Sequence, residues 1–121
     1  MNKIQDLDVI RPTLLLDPHR VHANIHRMAE KARHARVRFR PHFKTHQSAQ
    51  VGEWFRSYGV KAITVSSLDM AAYFAHHGWE DILVAFPLNL RQIELVRQLS
   101  ESIQLGVLVE CARHVDALAA A

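Results

Sequence analysis

One lysine, Lys44, stands among other polar residues in a run that reads Val-Arg-Phe-Arg-Pro-His-Phe-Lys-Thr-His over residues 37–46. A lysine amine can bind a carbonyl carbon covalently by forming a Schiff base, but only its neutral form attacks. Partial burial and a nearby cation such as Arg40 both favour the neutral form of an amine. The residue types in this run therefore predict a carbonyl-binding lysine.

The same run alternates between apolar and polar residues, as a strand does when its successive side chains point to opposite faces. Such a strand would have one apolar face and one charged face. The charged face would line a polar cavity, with Lys44 at its mouth and His42 on the same face as the lysine. The alternative is a solvated basic edge on a two-layer domain. The predicted apolar face consists of Val37, Phe39, Pro41 and Phe43. The predicted polar face consists of Arg38, Arg40, His42 and Lys44.

The sequence Arg-Pro-His-Phe-Lys-Thr-His at residues 40–46 resembles the cofactor-lysine motif of the D-threonine aldolase and D-serine dehydratase group. The resemblance implies that Lys44 holds pyridoxal 5'-phosphate as an internal aldimine. Because they share its predicted face, His42 and Arg40 are further candidates for cofactor binding, and Arg40 could instead pair with a carboxylate from a strand outside this chain. From its spacing, His42 could equally support the strand end by hydrogen bonding. Many members carry a second lysine where this chain has Gln47, which leaves Lys44 as the only candidate in the motif.

The function that this resemblance implies is a pyridoxal-phosphate-dependent lyase acting on small D-β-hydroxy amino acids such as D-threonine or D-serine. An amino-acid racemase and a non-catalytic carrier of pyridoxal phosphate on the same barrel are alternatives that also need Lys44. A third alternative is a basic interaction module that binds no cofactor. Family members also use a divalent metal, whose ligands would lie outside this chain, and a homodimer is an assembly that the resemblance allows.

The elements that must position Lys44 follow from hydrophobic periodicity, which alternates between helix-like and strand-like segments. This alternation predicts βα units around a parallel sheet. The β-branched, apolar character of the strands fits a sheet covered by helices, either as part of a barrel or as a doubly wound open sheet. The predicted helices cover residues 17–35, 48–58, 67–77 and 88–100, and the predicted strands cover 62–66, 82–86 and 103–109.

The resemblance favours the barrel, because residues 11–17, 63–68 and 81–87 also look like strands of the alanine-racemase-like fold. The fold class it implies is α/β, a partial (β/α)8 TIM-type barrel. A complete barrel of this kind takes about 250 residues. Residues 1–121 are therefore predicted to be the N-terminal part of one cofactor-binding barrel domain, with the rest of the barrel and a C-terminal β domain absent.

Composition excludes some classes of protein. Apolar residues make up 49% of the chain, but no run approaches the ~18 needed to cross a bilayer, and the first eight residues lack the apolar core of a signal peptide. A cytoplasmic protein without a membrane partner is predicted. The net charge is only +3, and Glu30 interrupts the basic residues of the first helix, which argues against a nucleic-acid partner.

Four other features suggest structural rather than catalytic roles. His19, His22 and His26 can share a helix face, but no carboxylate or cysteine is placed to complete a metal site. His76 and His77 precede Gly78, where they favour a helix C-terminus. Glu110 could face a barrel mouth or cap the following helix. The single cysteine, Cys111, permits no internal disulfide and is predicted to be a small buried hydrophobe.

Overall fold

The computed structural model describes residues 8–121 of the 121-residue chain. Within this range, helices and strands alternate, which confirms the predicted α/β class. Two short 3₁₀ turns, Phe43–Thr45 and Leu90–Gln92, interrupt the pattern. The elements are α1 (Pro18–His34), α2 (Ala49–Arg56), β1 (Ala62–Val65), α3 (Leu68–His76), β2 (Asp81–Pro87), α4 (Ile93–Ser100), β3 (Gln104–Leu108) and α5 (Ala112–Ala120).

The three strands form a parallel sheet in the order β1-β2-β3. Ile63 pairs with Ile82, and Ile82 pairs with Leu105, so one continuous apolar row crosses all three strands. Parallel neighbours require a crossover, and α3 and α4 supply it between successive strands. The predicted parallel βα arrangement is therefore confirmed for this part of the chain.

The core lies between one face of the sheet and helices α3 and α4. Because strand side chains alternate, Ile63, Val65, Ile82 and Val84 point to the same face, and each is at most 5% exposed. The helix side chains that pack against this face are also buried. These are Leu68, Ala71 and Phe74 on α3, and Val96 and Leu99 on α4.

Polar side chains mark where three of the helices begin. Asp17 accepts hydrogen bonds from the backbone N–H groups of His19 and Arg20, while Ser48 and Ser67 do the same for Val51 and Met70. Each cap satisfies a donor that the first turn would otherwise leave unpaired. These bonds explain why the predicted starts of the first three helices lie within a residue or so of the observed ones.

The predicted lysine strand is wrong as a backbone description. The structure pairs this segment with β1 only through an isolated parallel bridge between His42 and Thr64, and the chain then enters the 3₁₀ turn Phe43–Thr45. Pro41 gives the physical reason, because proline has no backbone N–H to donate to a ladder. We call residues 37–47 the lysine segment.

Three smaller predictions also need correction. Residues 11–17 form no strand and are exposed. The helix predicted over 88–100 is divided, because the Asn89 side chain accepts the N–H of Arg91 and starts a separate 3₁₀ turn. Cys111 is exposed rather than buried, since it lies just before α5 and after the end of β3.

Nothing in residues 8–121 forms a helix both long and apolar enough to span a bilayer. The prediction that no signal peptide is present concerns the first eight residues, of which 1–7 lie outside the described range.

Candidate active site around Lys44

Lys44 lies at the carboxyl edge of the sheet. His42 is level with Thr64 on β1, and β1 ends one residue later, at Val65. Lys44 follows His42 by two residues and therefore stands beyond the strand end. The carboxyl ends of parallel strands are where α/β proteins build their ligand sites. Lys44 is exposed, and no carboxylate within residues 8–121 pairs with its amine.

Phe43 anchors the turn that carries the lysine. Its side chain is fully buried, and its ring centroid lies 4.5 to 5.1 Å from the rings of His46, Phe55, Phe74 and Trp79. Burying an aromatic side chain of this size contributes roughly 1.5–3 kcal/mol. The two adjacent residues thus divide their roles, with Phe43 in the core and Lys44 in solvent, as the alternation of the sequence predicted.

His42 supports the turn from its amino end. Its ring Nδ1 accepts the backbone N–H of Lys44 at 3.2 Å, which makes His42 the N-cap of the turn. Partial burial, followed by the positive charge of Lys44, lowers the pKa of His42 below its ordinary value. Because Nδ1 is an acceptor, the neutral ring carries its proton on Nε2. The supporting role that the sequence allowed for His42 is therefore observed, and its contact with a cofactor stays a prediction.

Gln47 closes the turn from the other side. Its backbone N–H donates to the carbonyl of Phe43 at 3.0 Å, and its side-chain amide donates to the carbonyl of Lys44 at 3.1 Å. The φ angle of Gln47 is +46°, in the left-handed region that non-glycine residues seldom adopt. The side-chain bond thus helps to hold the lysine turn in a defined shape.

His46 packs beneath the lysine turn, a position that the sequence did not predict. Its ring stacks on Phe55 with a centroid distance of 5.7 Å and an interplanar angle of 15°. Burial lowers the pKa of His46, and its Nε2 atom is buried without a hydrogen-bond partner in the described part of the chain. The neutral ring therefore acts as one more aromatic member of the cluster around Phe43.

Arg38 and Arg40 converge on Asp81, the first residue of β2. Arg40 Nη2 lies 2.7 Å from Asp81 Oδ1, and Arg38 Nη1 lies 2.9 Å from Oδ2. Arg40 Nη1 also donates to the carbonyl of Ile63 at 3.0 Å. The two arginines share a side of the segment, as predicted, but their carboxylate comes from a neighbouring strand of this chain rather than from a missing one.

This arrangement puts Arg40 and Lys44 at opposite edges of the sheet. Asp81 begins β2, so Arg40 is bound near the amino edge of the sheet, whereas Lys44 stands beyond the carboxyl edge. Direct contact between Arg40 and a cofactor on Lys44 stays a prediction, and the geometry favours an indirect role. The sequence signal for Asp81 was a charged residue opening an otherwise apolar strand.

Two of the remaining polar candidates, His22 and His77, have side-chain partners. His22 Nδ1 lies 3.2 Å from the hydroxyl of Tyr58, which joins α1 to the turn that follows α2. His77 Nδ1 lies 2.8 Å from the carbonyl of Tyr73 at the end of α3, as a helix-capping role requires. Glu110 donates its backbone N–H to His114 Nδ1 at 3.4 Å. Within residues 8–121, no three His, Cys, Asp or Glu side chains cluster as metal ligands do.

The chain is similar in sequence to the D-threo-3-hydroxyaspartate dehydratase of Delftia sp. strain HT23, with 34% identity over 110 residues. This match covers 90% of the chain but 29% of the dehydratase. No family model matches the chain.

Solved structures agree with the sequence match. The same dehydratase superposes with a TM-score of 0.86 at 32% identity and covers 93% of the chain. D-threonine aldolase from Filomicrobium marinum gives a TM-score of 0.85 at 26% identity and covers 92%. An alanine-racemase-like protein from Idiomarina loihiensis, at 24% identity and a TM-score of 0.83, shares the fold.

The chain spans about three tenths of the length of these relatives, between 29% and 31% of each. Their match extends across nearly all of the chain and includes the lysine segment, which falls well inside the covered range. The resemblance stated from the lysine motif is confirmed: this chain is similar to D-threo-3-hydroxyaspartate dehydratase and D-threonine aldolase, and it shares the fold of an alanine-racemase-like protein.

Proposed function

We propose that the protein is a pyridoxal-phosphate-dependent lyase of D-β-hydroxy amino acids and that Lys44 is its cofactor-binding lysine. The observation that carries the proposal is an exposed lysine at the carboxyl edge of a parallel sheet, on a turn that is anchored in the core by its neighbour Phe43. Two relatives named for reactions of D-β-hydroxy amino acids, a dehydratase and an aldolase, support the substrate class.

The residues around Lys44 fit an aldehyde ligand. The amine is exposed and has no carboxylate partner in the described range, so it is available for covalent attachment. A nearby histidine offers a donor, since the backbone bond to Nδ1 of His42 leaves the proton of the neutral ring on Nε2. These contacts account for the aldehyde end of the cofactor, and the phosphate would be held by other parts of the protein.

When bound, pyridoxal phosphate supplies an electron sink for a carbanion at the substrate Cα. Lys44 would hold the cofactor through Nζ, and the same Nζ, when free, would be placed to take a proton. His42 orients Lys44 through the hydrogen bond from the lysine backbone N–H to Nδ1. Phe43 and Gln47 fix the turn, so that the lysine backbone keeps one position.

The wider architecture that we propose follows the relatives. The sheet β1-β2-β3 would be part of an alanine-racemase-like barrel, with residues 1–121 in its N-terminal part. A divalent metal would be held by residues beyond this chain, in line with the relative whose structure is described as a metal-free form. A homodimer and a cytoplasmic location remain part of this proposal.

A panel of D-amino acids tests the proposal on the full-length protein with added pyridoxal phosphate. Incubation with D-threo-3-hydroxyaspartate, D-threonine and D-serine should give a keto acid with ammonia, or an aldehyde with glycine. The keto acid indicates a dehydratase and the aldehyde an aldolase. Lys44→Ala should abolish product formation, whereas Lys61→Ala, which removes an exposed lysine elsewhere, should not.

Other results would favour the alternatives. Interconversion of D- and L-amino acids without a lyase product would identify a racemase. Cofactor attachment without turnover of any amino acid would identify a carrier. Failure to take up pyridoxal phosphate at all would contradict the proposal and leave the basic interaction module.

A further inference from the structure

We propose that Asp81 is a positioning residue for Lys44, which it holds in place from the opposite end of the sheet by binding Arg40. This inference rests on the proposed role of Lys44. Asp81 lies in none of the segments that contact the lysine directly, so its effect must pass through Arg40 and the backbone between them.

Backbone bonding secures the lysine segment only weakly. At the isolated bridge that joins this segment to β1, the N–H of Thr64 donates to the carbonyl of Pro41 at 2.8 Å. Pro41 cannot return a bond because it has no N–H. A segment that carries a reactive group and is joined to β1 by an isolated bridge needs other attachments to stay in register.

The Arg40 side chain supplies those attachments. One guanidinium nitrogen donates to the carbonyl of Ile63 on β1, and the other binds the carboxylate of Asp81 on β2. The first nitrogen also lies 3.4 Å from the carbonyl of Asp81. A single side chain thus ties the segment to two adjacent strands, next to the proline where the backbone ladder fails.

Burial shows which of the two arginines matters. The side chains of Arg40 and Asp81 are 22% and 21% exposed, whereas Arg38 is 66% exposed. Exposed ion pairs contribute little, but removing one partner of a largely buried pair leaves an uncompensated charge. Without Asp81, the Arg40 guanidinium would be driven toward solvent, and the segment would move with it.

Movement at Arg40 would reach Lys44. The two residues are four apart, at most about 13 Å along an extended chain. Pro41 between them has a fixed φ, and His42 is bridged to Thr64, so the backbone of this short stretch has little conformational freedom. Misplacing a reactive group by about 1 Å can cost 10²-fold in rate, so even a small displacement would be measurable.

The test uses the full-length protein and Asp81→Asn, which keeps the shape of the side chain and removes its charge. Two readouts are followed. One is the rate at which pyridoxal phosphate becomes fixed to Lys44, measured by borohydride reduction and peptide mapping. The other is the acetylation of Lys44 relative to the exposed Lys61 under limiting reagent, which needs no cofactor.

We expect Asp81→Asn to slow cofactor attachment by about tenfold, as a modest misplacement would, and to change the ratio of Lys44 to Lys61 acetylation. Arg38→Ala is the matched control, since it removes only the exposed partner of Asp81, and should leave both readouts unchanged. Wild-type values for both readouts in a folded Asp81→Asn protein would overturn the inference.

If Asp81→Asn does not fold, Asp81→Glu replaces it, because the longer acid can still pair with Arg40 but alters the spacing. Slower attachment in that folded variant supports the positioning role, and an unchanged rate contradicts it. If the wild-type protein does not attach pyridoxal phosphate to Lys44, the proposed function fails. The acetylation ratio then decides the role of Asp81 by itself.

Discussion

The lysine segment and the neighbouring sheet are held together in different ways. In the sheet, strands β1 to β3 pair in parallel register, and their apolar residues are sealed under α3 and α4. In the lysine segment, one isolated bridge is supplemented by a buried ring at Phe43 and an ion pair from Arg40 to Asp81. The regular region thus depends on backbone pairing, and the reactive region on individual side chains.

This difference explains how the reactive lysine can be both exposed and well positioned. A residue inside a ladder has its direction set by the pleat, and burial of one face limits what it can reach. A turn anchored by its neighbours leaves the amine free while its backbone is fixed. The cost is that single substitutions in the segment should have larger and more local effects than conservative changes in the sheet.

The largest effect is expected from Phe43→Ala. Removing a fully buried ring surrounded by four others should lower the free energy of unfolding by about 3–5 kcal/mol, because a cavity remains in a rigid aromatic cluster. Denaturant unfolding of the full-length protein measures this loss. Phe43→Leu, which keeps most of the volume, should lose only about 1 kcal/mol. Equal losses for the two variants would show that the cluster does not depend on packing at this site.

A conservative change in the sheet should have a smaller effect. Ile82→Val removes one methylene from a fully buried residue of the central strand and should cost about 0.5–1.5 kcal/mol. Because the ladder is retained, the acetylation of Lys44 relative to Lys61 should not change. A changed ratio would mean that the sheet core and the lysine segment respond as one unit.

The pH dependence of stability separates the regions further. In the folded chain, burial holds the pKa of His46 below its ordinary value of 6.5. The unfolded chain therefore binds a proton more readily, so stability is greatest above pH 6.5 and falls as the pH drops below it. His46→Phe should weaken this acid sensitivity, with a remainder from His42, whose pKa is also lowered. Identical pH profiles for wild type and variant would contradict the buried, neutral ring.

The smallest effect is expected at Cys111, outside both regions. Because the thiol is exposed, Cys111→Ser should change the free energy of unfolding by no more than about 0.5 kcal/mol. A thiol reagent should modify Cys111 in the native protein about as fast as in denaturant. Strong protection of the native thiol would instead favour the burial that the sequence predicted.

The sheet and its helices were predictable because their signals are local. Capping residues such as Asp17, Ser48 and Ser67 fix helix starts, and Gly59 and Gly78, with φ near +80°, mark two ends. The buried strands are short apolar runs between those helices. Such signals act within a few residues, so the sequence states them directly.

The lysine segment was predicted in part. The alternation of apolar and polar residues correctly predicted that Phe43 is buried and Lys44 exposed. It also implied a regular strand, which Pro41 prevents. The contacts of Asp81 and His46 could not be predicted, because each joins residues far apart in the chain or depends on the packing of several rings. The burial of Cys111 was predicted from residue type alone, but its position at the start of a helix leaves the side chain exposed.

The central claim is that Lys44 binds the cofactor, and reductive trapping tests it most directly. The full-length protein is incubated with pyridoxal phosphate, reduced with borohydride, digested and analysed by mass spectrometry. We expect a pyridoxyl group on the peptide that contains Lys44, and none in Lys44→Ala or in Lys44→Arg, whose guanidinium stays protonated. A pyridoxyl group on another lysine of the wild-type protein, with Lys44 unmodified, would contradict it.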